Sequence, residues 1–347
     1  MFKSITQRLW PELEKRRNGR QGLLSFGISF LDDALLGIMP SDLILLGAPS
    51  GTGKTQICTN IALTNLEAGK RVHFIALEAD EFEIERRLKF QIIARKYFSQ
   101  SEIKLGCSLV YDRWLLGDFT EKLASFEIEA IGEMQEYKNL FVHYKTKDFG
   151  LTDLTESIIS NAENSDLFII DHAHYFDLDD DNENRAIKKL MKTIRSLALE
   201  ENKPIILVAH LRKRDRGNPD LVPDMDEFHG SSDLAKIATR VITISPGKAT
   251  QKGTFETFFR VPKNRINGGI TRVIARMIYN PEKGSYEDLY RLGHASCNRA
   301  DGFQDICEPV APQWAKRLVA SILVGGGDRL PAARPRTNAL PHWEKDL

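Results

Sequence analysis

Residues 48 to 55 run Ala48-Pro49-Ser50-Gly51-Thr52-Gly53-Lys54-Thr55, directly after the apolar run Asp42-Leu43-Ile44-Leu45-Leu46-Gly47. Such a string demands a buried strand in front of it and a helix start behind it. Its glycines let backbone N–H groups close around a phosphate, and the helix N-terminus adds partial positive charge. Lys54 supplies a mobile cation for the β- and γ-phosphates, and the Thr55 hydroxyl can ligate Mg2+. Ala48 stands where the pattern has glycine, and alanine is small enough for the turn. Residues 48 to 55, with Gln56 in the first helical turn, are the expected contacts of a nucleoside triphosphate. ATP and Mg2+ are the expected cofactors.

With 347 residues the chain is long enough for one large α/β domain or two ordinary ones. From residue 23 to about 290, apolar runs alternate with helical patterns, the signature of a parallel sheet. Strands are predicted at 43–46, 72–77, 140–144, 167–170, 205–209, 241–245, 257–261 and 272–278. Helices are predicted at 55–68, 81–98, 119–137, 151–161, 184–200 and 230–238. Residues 1–22 form a basic arm in which Ile5, Leu9 and Leu13 share one helical stripe ahead of Lys15, Arg16, Arg17 and Arg20. That arm is either solvated or packed on a neighbouring subunit. Residues 23–293 read as one domain. Residues 294–347, with Gly325-Gly326-Gly327 and three prolines beyond it, read as a short helix plus a flexible tail.

Lys plus Arg equals Asp plus Glu at 48 each, so a nucleic-acid partner has to be argued from local basic clusters. The four cysteines (Cys58, Cys107, Cys297, Cys307) form no Cys-x-x-Cys pair, which suits a reducing compartment. His294, Cys297 and Cys307 have irregular spacing and lack a fourth ligand, which argues against a zinc site. No apolar run approaches membrane-spanning length, and Met1-Phe2-Lys3-Ser4 opens no signal peptide. The expectation is a soluble, cytoplasmic protein that does not engage a membrane.

Three further strand ends bear on hydrolysis. Leu167-Phe168-Ile169-Ile170-Asp171 ends in a carboxylate suited to hold Mg2+ beside the phosphate loop. Val72-His73-Phe74-Ile75-Ala76-Leu77-Glu78 ends in a carboxylate that would face the γ-phosphate and could orient or deprotonate the attacking water. Pro204-Ile205-Ile206-Leu207-Val208-Ala209-His210 ends in a histidine that could bond the γ-phosphate and report its loss to the next loop. That loop carries Arg212, Lys213, Arg214 and Arg216 ahead of Gly217-Asn218-Pro219. Its cations could contact the phosphates of a nucleic acid without reading bases, or could be a solvated face.

In this order, these residues resemble the DnaB-type hexameric replicative helicases among the RecA-like ATPases, in particular the phage primase-helicase and Twinkle group. The resemblance runs from about Phe26 to Tyr290. It includes Leu77-Glu78, Ile170-Asp171-His172 and Ala209-His210-Leu211 with its basic loop. The segment Asp226-Glu227-Phe228-His229-Gly230-Ser231-Ser232-Asp233-Leu234 resembles the family's central-channel loop, which implies DNA contacts at His229, Gly230 and Ser231. Val261-Pro262-Lys263-Asn264-Arg265 resembles the Lys-x-Arg element that reaches a neighbouring subunit's ATP. Residues two apart on a strand face one side, so Lys263 and Arg265 could aim at one anion.

The resemblance implies a RecA-like core: a mostly parallel twisted sheet flanked by helices, with a C-terminal β-hairpin region. It also implies a homo-oligomeric, hexameric ring on single-stranded DNA, with a loader or primase as partner. The family's helical front domain, or the primase of its phage members, has no counterpart in the roughly 25 residues before the core, and residues after Gly293 match no family feature. Three functions remain open from the sequence: an ATP-driven helicase, a RecA-like recombination mediator that does not unwind, and an ATP-switched scaffold. Glu78 and Arg265 together favour active hydrolysis. Few aromatics lie in the channel segments, so backbone tracking rather than base stacking is expected.

Overall fold

The computed structural model describes residues 5–17, 23–100, 105, 108–145, 148–177, 183–212, 222–228, 233–250, 253–266 and 273–294. In chain order these form α1 (Thr6–Arg17), α2 (Ser29–Leu35), β1 (Leu43–Ala48), α3 (Lys54–Glu67), β2 (Val72–Ala76) and α4 (Glu83–Gln100). They continue through α5 (Tyr111–Leu115), α6 (Thr120–Glu136), β3 (Leu140–Tyr144), α7 (Leu151–Asn161), β4 (Leu167–Asp171) and α8 (Glu183–Glu200). The last elements are β5 (Ile205–His210), α9 (Asp233–Ile237), β6 (Arg240–Ala249), β7 (Phe255–Asn264), β8 (Val273–Asn280) and β9 (Ser285–His294).

The described strands make one sheet in the order β3-β2-β4-β5-β1-β6-β7-β8-β9. From β3 to β6 every neighbouring pair is parallel. From β6 to β9 every pair is antiparallel. The parallel strands read as unbroken apolar runs because helices cover both their faces. Along β1, Ile44, Leu46 and Ala48 pack into one core and Leu43 and Leu45 into the other. Helix α3 lies on the first face through Ile57, Ile61 and Ala62. Helix α8 covers the second with Ile187, Leu190, Met191, Ile194, Leu197 and Ala198, the stripe of a half-buried helix.

Some expectations need correction. The parallel pattern inferred for 23 to 290 stops at β6, beyond which the chain meanders back and forth. Strand β9 was not expected, and neither were α2 and α5. Of the segment 230–238, residues 233–237 are helical and 230–232 lie outside the described residues. Ile5, just before α1, and Leu9 on it are exposed. Among the described residues, no helix is long and apolar enough to cross a membrane.

Strand β2 buries a titratable ring. His73 is sandwiched by Phe168 at 5.5 Å and Phe141 at 5.8 Å, and its Nδ1 is buried without a hydrogen-bond partner. Burial, helped by His143, pushes its pKa down to about 4. The unfolded chain then takes up a proton below about pH 6.5 that the native state refuses, so stability falls as pH drops from there toward 4. Between pH 7 and pH 5 this one ring should cost about 2 kcal/mol. Urea unfolding at the two pH values checks it: His73→Phe should show a smaller pH-dependent loss than native protein.

Candidate nucleotide and nucleic-acid site

The register of the parallel strands decides which side chains meet. Ala48 at the end of β1 lies opposite His210 at the end of β5, and Ala76 of β2 lies opposite Asp171 of β4. Glu78 follows two residues after Ala76. All four strands thus deliver their last residues to one edge, where open α/β sheets bind ligands.

The phosphate loop leaves β1 at that edge. Gly51 and Gly53 sit at φ +75° and +84°, in the left-handed region that side chains other than glycine rarely adopt. A Cβ on Gly51 would meet nothing within 4 Å, so the backbone angle rather than space requires glycine there. Helix α3 begins at Lys54, which is buried and reaches the Pro49 carbonyl at 3.4 Å. Burial lowers the lysine's pKa, while Glu78 and then Asp171 oppose the shift. Gln56 turns away to the far strands, its amide donating to the Gly284 carbonyl at 3.0 Å.

Thr55 and Asp171 meet directly. The hydroxyl donates to Asp171 Oδ2 at 2.7 Å, and Oδ1 is buried without a hydrogen-bond partner. Burial pushes this carboxyl up to about 6, with Thr55 opposing and Glu78 adding to the rise. A buried carboxylate oxygen that faces no donor, beside a hydroxyl and a phosphate loop, fits a hard cation with oxygen ligands, as Mg2+ is.

Next to it, Glu78 Oε2 lies 3.2 Å from His172 Nε2, and His172 Nε2 lies 2.5 Å from His210 Nε2. Tyr175 also bonds Glu78, whose charge is the main reason that phenol's pKa is raised. Burial, followed by His210 and His174, pushes His172 down to about 3, so the ring is neutral. The sequence placed Glu78 and His210 here. It offered no role for His172 or Tyr175, whose positions depend on the 3-10 turn at Ala173–Tyr175.

The cationic pair lies elsewhere. Lys263 is opposite Val241 at the start of β6, and the Arg265 backbone N–H donates to the Thr239 carbonyl at 3.1 Å. Thr239 in turn donates to the carbonyl of Leu43, the first residue of β1. Residues 263–265 therefore sit at the opposite edge of the sheet from the phosphate loop, the length of β1 away. At ~3.3 Å per residue that is about 17 Å, farther than an arginine side chain extends. Lys263 here donates to the carbonyls of Ala235 at 2.9 Å and Lys236 at 2.6 Å, capping α9. Burial lowers its pKa and Arg265 lowers it further. Arg195 of α8 also feels Arg265, after the larger effect of its own burial. Sequence periodicity marks Arg195 only as part of a helix, so its place in a three-cation cluster emerges from the fold.

The basic loop and the channel segment start side by side. Leu211 bridges Phe228 antiparallel, and the Arg212 backbone N–H donates to the Glu227 carbonyl at 2.8 Å. Lys213, Arg214, Arg216, His229, Gly230 and Ser231 lie outside the described residues. So do Cys297 and Cys307.

The model of the DnaB-like helicase C terminal domain family matches residues 22–288. A probable plasmid replicative DNA helicase of Chlamydia psittaci is 25% identical over 224 residues, covering 63% of this chain and 45% of the relative. The replicative DNA helicase DnaB of Haemophilus influenzae is 26% identical over 282 residues, covering 76% and 54%. This chain spans about half the length of these curated relatives. The solved ATPase domain of G40P superposes with TM-score 0.64 at 16% identity, covering 82% of this chain and 99% of that one. A DnaB-like replicative helicase, described with its interactions with primase, gives TM-score 0.64 at 16% identity, covering 82% and 67%. These superpositions establish the RecA-like ATPase fold.

Phe228, wholly buried, anchors the segment that follows Glu227 against β1. A Cβ on Gly47 would lie 2.5 Å from its ring and 2.9 Å from Leu211 Cδ2. Gly47→Ala should therefore cost about 1–3 kcal/mol by overpacking. A thermal melt at unchanged wild-type stability would refute the close approach.

Proposed function

The chain belongs to the DnaB-like helicase C terminal domain family, and from that premise we propose that it is an ATP-driven motor on single-stranded DNA, working as a hexameric ring. The observation that carries this reading is the separation of Arg265 from its own phosphate loop by the length of β1. A cluster of Lys263, Arg265 and Arg195 with no role at its own ATP suits the ATP of a neighbouring subunit. Supplied across a boundary, such an arginine stabilises charge on the transferring phosphoryl group and is worth ~10³–10⁵ in rate.

In this reading, residues 48–55 and the backbone of Gln56 line the nucleotide, and Lys54 neutralises its β- and γ-phosphates. Thr55 and Asp171 would hold Mg2+, which would compensate the charge of the phosphates. Glu78 is the general base for the attacking water, and His210 bonds the γ-phosphate. Arg212, Lys213, Arg214 and Arg216 grip the DNA backbone, and His229, Gly230 and Ser231 add contacts to the same strand. The shared origin of the two segments at the Leu211–Phe228 bridge supports one DNA surface next to the γ-phosphate end of the site. A primase or a loader is the partner class consistent with the family.

Arg265→Ala should bind ATP nearly as well as native protein yet hydrolyse it ~10³-fold more slowly. Glu78→Gln should likewise bind without turnover. Mixed together, the two should regain activity, because some interfaces pair a native Glu78 with a native Arg265. Flat activity across all mixing ratios, in a sample shown to co-assemble, would place Arg265 outside the site.

Changing Arg212, Lys213, Arg214 and Arg216 to Ala should weaken single-stranded DNA binding. Each lost phosphate contact should remove about 0.7 from the slope of log K against log salt. An unchanged slope would mean that the loop is a solvated face.

A further inference from the structure

His172 is buried at the centre of the hydrolytic cluster and has no task in the reading above. Its Nδ1 accepts a hydrogen bond from the His174 backbone N–H at 3.2 Å. A ring whose Nδ1 accepts carries its proton on Nε2. That Nε2 faces two groups, Glu78 Oε2 at 3.2 Å and His210 Nε2 at 2.5 Å. We propose that His172 is a positioning residue whose single Nε2–H, shared between Glu78 and His210, sets the rotamer of the first and the tautomer of the second. His210, accepting through Nε2, then keeps its own proton on Nδ1. When a γ-phosphate engages His210, the shared proton is released to Glu78 alone and holds that carboxylate toward the attacking water. The proposal rests on the reading of Glu78 as general base.

The same tautomer argues against a metal ion at these groups, although their donor atoms all lie within 4.8 Å of one another. Ligation through Nε2 would move the proton to Nδ1, where it would face the His174 N–H. Metal-ligating histidines instead give their other N–H to an acceptor.

Three substitutions separate hydrogen bonding from packing. Gln carries an amide N–H where Nε2 sits, Asn is one methylene too short to do so, and Phe keeps the ring without the donor. In the full chain, His172→Phe and His172→Asn should lower kcat for ATP about 10²-fold, the scale of a misplaced catalytic group. KM for ATP should stay near native in both. His172→Gln should keep most of native kcat. A purely structural ring would give the reverse order, with Phe best and Gln worst, and would overturn the proposal, as would native turnover in His172→Phe. If His172→Phe fails to fold, the Gln and Asn pair decides alone: equal loss in both overturns the proposal. Glu78→Gln is measured alongside. Native turnover there sinks the general-base reading itself, whereas a dead Glu78→Gln with a fast His172→Phe sinks only the role of His172.

Discussion

Parallel pairing of β1, β5, β4 and β2 in one register is the constraint from which the rest of the site follows. A one-residue slip in any of these pairs would turn buried side chains to the wrong face. It would also pull Asp171 away from Thr55, a contact that spans β5 to join β4 with the first turn of α3. The two apolar cores fix that register because residues of both faces are buried along β1, β2 and β4. Packing energy thus sets the positions of polar groups that contribute little to stability themselves. Asp171 and Lys54 are examples: burial works against the charge on each, and each opposes the cost for the other.

Much of this was legible in the sequence, for a physical reason. A strand covered on both faces has to be apolar throughout, so β1, β2, β4 and β5 stand out as runs. The polar residue that ends each run then marks the binding edge. Strand β9 lacks that signal: Ser285-Tyr286-Glu287-Asp288-Leu289-Tyr290 mixes buried Tyr290 with exposed Leu289 at the end of the sheet. Helices α2 and α5, of seven and five residues, are too short to show a period. Register between distant strands is also invisible in one sequence. For that reason the motif could place Lys263 and Arg265 on one strand without showing that the strand end lies a full β1 from the phosphate loop. His172 stands in the Ile170-Asp171-His172 motif, but its tautomer depends on a backbone N–H two residues on.

The two edges of the sheet are mechanically joined. At the edge away from the phosphate loop, Arg240 is wholly buried, its Nε 3.3 Å from Asp42 Oδ2 and its Nη1 donating to the Gly37 carbonyl at 2.6 Å. Asp42 also accepts from the Met39 N–H and the Thr239 hydroxyl, each at 3.0 Å. A buried ion pair is a weak device for stability, since desolvation offsets most of its attraction. Its effect here is positional. It ties the start of β6, and with it the backbone that carries Lys263 and Arg265, to the start of β1. The other end of β1 is the phosphate loop, and Gly47 next to that end packs against Phe228. Strand β1 therefore connects the backbone that carries Lys263 and Arg265, the phosphate loop and the segment that starts at Phe228. In the ring proposed above, a displacement at any one of these three places would have a packed route to the other two.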